Sequence, residues 1–85
     1  MVDILITFIL RNMKVDDVVQ VIGRGYVFIG VPETVVHIGD KVSVKEHVFE
    51  VRGIEGWEFI KRKGFLLSPN TIAGEVIKKG DEIEL

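Results

Sequence analysis

Cysteine is absent from this 85-residue chain, and alanine, tryptophan and tyrosine each occur once. Without cysteine there can be no disulfide scaffold, thiol nucleophile or Cys-based zinc or iron–sulfur site. The fold must therefore hold through its own core. Long apolar runs are missing too. Stretches such as Ile4–Ile6 and Phe8–Leu10 fall far short of the ~20 residues of a membrane-spanning helix. Asp3 interrupts the opening and no basic segment precedes it, so a cytoplasmic domain with no membrane role is the expectation. An excess of positive charge is also lacking: 11 Lys+Arg stand against 13 Asp+Glu, a net charge of -2. That balance excludes a protein that coats nucleic acid by bulk charge.

What is present selects the fold class. There are 14 valines and 11 isoleucines against 5 leucines and the single Ala73. Stiff β-branched side chains suit pleated strands and lose rotamer freedom in helices. The nine glycines and two prolines fall mostly between the Val/Ile segments, where turns belong. The length allows one domain, residues 1–85. Few Asn, Gln, Ser and Thr beside 28% charged residues fit a heat-tolerant composition.

The pattern predicts a first, added strand over residues 2–10, ending at Arg11-Asn12, and a second over about 15–22, ending at Gly23. Gly23-Arg24-Gly25 turns the chain into a third strand, Tyr26–Val31. Pro32-Glu33-Thr34 makes the next turn, followed by a short strand, Val35–His37. Val42 and Val44 alternate with Ser43 and Lys45, and Phe49 and Val51 return after Glu46-His47 as a hairpin. The pattern loosens over Ile54–Lys63, then Gly64–Leu67 reads as a strand. Thr71–Lys79 predicts one or two helical turns, capped by Asn70 or Thr71 and stopped by Gly80. Asp81–Leu85 closes the chain as a strand. Six to seven short strands with regular turns predict an all-β fold, a small closed barrel with one helical turn near 71–79.

No enzyme motif is present. Gly25 to Gly30 has the spacing of half a P-loop, but Val31-Pro32 stands where Lys-Ser/Thr belongs. His37 and His47 lack the spacing of paired metal ligands on one element. Asp16 and Asp17 are adjacent, so on a strand they point to opposite faces and do not converge. No catalytic group, metal or cofactor is expected.

The run Val15–Val42, VDDVVQVIGRGYVFIGVPETVVHIGDKV, resembles the second domain of translational GTPases, the β-barrel that follows the G domain in elongation factor Tu and its relatives. The matching parts are the acidic pair Asp16-Asp17, the strand Val18–Ile22, the Gly23-Arg24-Gly25 turn, the valine-rich strand to Gly30, and Ile38-Gly39-Asp40-Lys41-Val42. Val76–Ile83 is similar to the family's closing segment. The family's longer hairpin is replaced by the short Gly53–Gly64 connection. No G domain is included, so GTP binding does not carry over.

The resemblance implies an RNA- or ribonucleoprotein-binding module, with transfer RNA or ribosomal RNA as partner. The surface it implies comprises Asp16, Asp17, Val19, Val21, Gly23 and Arg24. Each also has a plain structural reading: Val19 and Val21 as barrel wall, the glycines as backbone requirements, the acids as a solvated strand start, and Arg24 as half of an ion pair. Lys61-Arg62-Lys63, beside Trp57, Phe59 and Phe65, is a second candidate for nucleic-acid backbone contact, or a solvated loop. A rival reading is a protein–protein adaptor with no RNA role. Clustering of these cations beside an exposed ring would favour RNA. Their scatter would favour the adaptor.

Overall fold

The structure is a computed structural model, and residues 12–56 and 61–85 are described. The expected strand 2–10 and the aromatic pair Trp57 and Phe59 lie outside the described residues. Among the described residues seven strands are present: β1 Asn12–Lys14, β2 Asp17–Val21, β3 Gly25–Gly30, β4 Lys41–Val44, β5 His47–Gly56, β6 Lys63–Ser68 and β7 Glu82–Glu84, with one helix, α1, over Asn70–Val76. The strands form a single antiparallel sheet in the order β1-β7-β4-β5-β6-β3-β2.

One face of that sheet carries the core. Period-two alternation sends Val42, Val44, Phe49, Val51, Phe65, Leu67, Phe28 and Ile83 to the same side, where they meet Met13, Val15, Ala73 and Ile77. Tyr26 and Val18 pack partly against this cluster. The β4–β5 hairpin turns at Lys45 and Glu46, both at positive φ.

Several expectations are corrected. The chain does not pause at Asn12: β1 begins there and pairs with β7, Met13 opposite Ile83. Val35–His37 is not a strand. Its end is taken by a turn in which His37 N–H donates to the Asp40 carboxylate (2.8 Å) and Asp40 N–H to the His37 carbonyl (3.0 Å). The loosening after Gly53 is not the end of a strand. β5 continues to Gly56 through a bulge at Arg52, between the Val51–Leu67 and Gly53–Leu66 pairs. Helix α1 follows Pro69 without a side-chain cap. Asn70 is engaged elsewhere, and Gly80 (φ 97°) serves a later turn rather than stopping the helix.

Among the described residues the sheet is not closed into the expected barrel. β1 and β2 sit at its two ends and do not pair with each other. Only Val15 and Asp16 separate them, yet the six successive antiparallel pairings that lead across the sheet from one to the other give them the same direction, so they do not form a hairpin. Val15 N–H donates to the Asp81 carbonyl and the Val15 carbonyl accepts the Gly80 N–H (2.8 Å each), while Asp16 N–H donates to the Ile29 carbonyl (2.7 Å).

Candidate functional site

The outer face of β2, β3, β6 and β5 carries the sequence candidates. Directly paired residues share a face, so Val19 stands beside Val27, and Val27 beside Leu66 and then Gly53. Val19 and Val21 are 39% and 37% exposed; they are outward residues, not core. The turn after β2 places Ile22 fully in solvent. Gly23 has φ 84° and open space around its missing Cβ, so it serves backbone conformation rather than close approach.

Over this face lies a depression of about 280 Å³ lined by Arg24, Val27, Ile38, Arg52, Gly53, Ile54, Glu55, Gly64 and Leu66. Val27 and Leu66 make an aliphatic floor. Arg24 reaches across to pair with Glu55. Both members are half exposed, so the pair adds little to stability. Among the described residues Arg52 has no ion-pair partner.

The remaining candidates do not join this groove. Asp17 Oδ1 accepts the N–H of Val18 at 2.9 Å, which occupies a donor at the sheet edge. Asp16 faces Arg62, 3.7 Å away. Lys63 pairs with Gly30, at the opposite end of β3 from Arg24, about 17 Å along a strand. Lys61 and Lys63 line a larger hollow of about 890 Å³ with Glu33, Val35, Val36, Ile54 and Phe65. The outer groove joins the candidate Arg24 to an aliphatic floor and to a second arginine, Arg52. The cations are therefore scattered: Arg24 and Arg62 face different carboxylates at opposite ends of β2. Among the described residues every phenylalanine is buried and Tyr26 is half-buried, so no such ring lies exposed beside them.

Sequence reading missed Val27, Ile38, Arg52, Gly53, Glu55 and Leu66 as groove residues. A signal existed for Arg52. Phe49 and Val51 face inward on odd positions and Ile54 does so on an even one, a one-residue slip that marks a bulge.

Among the described residues, no three His, Asp or Glu side chains converge as a metal site. Among the described residues Asp81, away from the groove, has a carboxyl displaced from its ordinary acidity. The Lys78 N–H, donated at 2.7 Å, holds this carboxyl below its ordinary 3.8, with Lys45 at 3.0 Å adding to the effect and desolvation opposing it. The folded form is thus the stronger acid. Its stabilisation is complete above the ordinary value and drains as pH falls through the lower folded one. Asp81→Asn should cost about 1 kcal/mol at neutral pH. Urea titrations of the two proteins should converge as pH falls below the ordinary carboxylate range; a constant gap would refute the assignment.

Comparison with protein-family models and with curated proteins gave no match. The resemblance to the translational GTPase barrel rests on the residues quoted above.

Proposed function

We propose that the chain is a non-catalytic binding module, a barrel of the translation-factor second-domain type, that docks a protein partner through its outer-face groove. The barrel reading is supported by the contact between the two ends of the sheet. Gly30 of β3 lies against the Lys14 carbonyl and the Met13 side chain of β1, and Glu33 N–H donates to the Asn12 carbonyl at 3.3 Å. Such proximity is what a kinked strand shared between both ends of a barrel would produce.

The observation that carries the docking reading is the composition of the groove: an aliphatic floor with two arginines above it and, among the described residues, no aromatic ring. Base recognition ordinarily relies on stacking, which this lining does not offer. The dispersal of Arg24 from Lys61–Lys63 points the same way. A ribonucleoprotein or transfer RNA role, implied by the family resemblance, draws its support from the position of Val19, Val21 and Arg24 beside the groove.

Affinity capture with and without nuclease, followed by titration of labelled transfer RNA, separates the two. The adaptor reading expects the same protein partner after nuclease and no saturable RNA binding at moderate salt. Loss of the partner on nuclease treatment, with saturable RNA binding, would reverse the assignment.

A further inference from the structure

The outer groove has a chemistry more specific than an apolar patch, and it is compact. At about 280 Å³ it is at the small end for a drug-sized ligand, and none of its lining side chains is a buried polar group of the kind that orients one. Its floor is aliphatic, Val27 buried and Leu66 half-buried, and Ile38 on its border is 66% exposed. Gly53 leaves space where its neighbours on β5 carry side chains. A Cβ added there would meet Leu66 Cβ at 3.4 Å, so glycine holds the floor open at the bulge.

Charge supplies the second constraint. Arg52 is the extra residue of the bulge, exposed, and has no carboxylate partner among the described residues. Arg24 shares only the surface carboxylate of Glu55. The groove therefore carries two guanidinium groups against one carboxylate on a chain whose net charge is -2. Guanidinium groups recognise carboxylates in a fixed two-point geometry, and arginine is prominent among residues that dominate interface energies.

We propose that this groove binds an extended polypeptide segment in which aliphatic side chains alternate with acidic ones. The aliphatic groups lie on Val27 and Leu66, and a carboxylate pairs with Arg52. A second carboxylate can displace Glu55 from Arg24, exchanging one ion pair for another. The inference rests on the protein-docking reading and adds the partner's chemistry to it.

The probe is a fluorescein-labelled hexapeptide, Glu-Ile-Glu-Leu-Glu-Ile, titrated into the full chain by fluorescence anisotropy. Its counterpart with lysine replacing glutamate, and a single-stranded RNA of similar length, provide the alternatives. The acidic peptide should saturate, weaken as salt rises, and bind at least tenfold better than the lysine peptide. Arg52→Glu and Gly53→Ala should each weaken it about tenfold or more, with melting temperatures showing that both variants fold. Absence of saturation overturns the proposal. So does equal affinity for wild type and Arg52→Glu, or RNA binding that Arg52→Glu abolishes. A nuclease-resistant protein partner still captured by both variants would overturn the groove while leaving a protein-adaptor role through another surface.

Discussion

Gly30→Ala should destabilise the protein by about 3 kcal/mol, an unusually large effect for adding one methyl group. Gly30 is buried in β3 with ordinary strand geometry, so the expected loss does not come from a backbone conformation reserved for glycine. It comes from space. A Cβ would fall on the carbonyl oxygen of Lys14 and lie 2.9 Å from Met13 Cγ. A flexible side chain could turn away; the carbonyl belongs to a strand already fixed by pairing with β7. Relief would require β1 to move off β3, taking Met13 and its partner Ile83 out of the core. In a domain of this size the loss corresponds to a melting temperature lower by roughly 12–24 °C. A fall of only a few degrees would mean that β1 does not sit tightly on β3, and the barrel reading would lose its main support.

That contact was not legible in the sequence, and the reason is physical. Alternation within a strand reports which side is buried, and here it marked the β4–β5 hairpin, where Val42, Val44, Phe49 and Val51 are all buried. It does not report which strands meet across the molecule. Gly30 read as the end of a valine-rich strand because its neighbour in space, Lys14, is distant in sequence and contributes only a backbone oxygen. β1 itself escaped notice because Asn12–Lys14 shows one buried residue, Met13, between two polar ones. The absent Val35–His37 strand failed for the opposite reason: valines supplied strand propensity, but the Asp40 carboxylate captured the local backbone in a turn.

The candidate site was half legible. Val19, Val21 and Arg24 were named from the family resemblance; Arg24 lines the groove and Val19 stands beside its floor residue Val27. Arg52, Ile38 and Leu66 come from other parts of the chain, and only the register of β5 against β6 and β3 assembles them. The acidic pair is instead occupied by local partners, Asp16 with Arg62 and Asp17 with its neighbouring amide. The basic run divides between Asp16 and a different hollow. A charge cluster in sequence is thus no guide to a charge cluster in space when it falls where a loop enters a strand.

Asn70→Ala is expected to cost about 2–3 kcal/mol, although Asn70 does not line the groove. Its side chain completes the strand pairing where β6 ends. Oδ1 accepts the N–H of Tyr26 at 2.8 Å, while Nδ2 donates to the carbonyls of Tyr26 at 3.0 Å and Leu67 at 3.1 Å. Alanine would leave one donor and two acceptors without these partners, and unmade hydrogen bonds in a sheltered place are costlier than the bonds are individually worth. Gly25, with φ 104°, lies so close that its missing Cβ would coincide with Oδ1, so the turn carrying Arg24 is built around this amide. Asn70→Asp provides the discriminating variant. It can still accept from Tyr26, but as an anion it faces two carbonyl oxygens and donates to neither. Its deficit relative to wild type should be large at neutral pH and shrink on acidification, when the protonated acid regains a donor. Denaturant titrations at two pH values measure this directly. If Asn70→Asp matches wild type at neutral pH, the amide is not the joint between β3 and the helix, and the placement of Arg24 over the groove must have another cause.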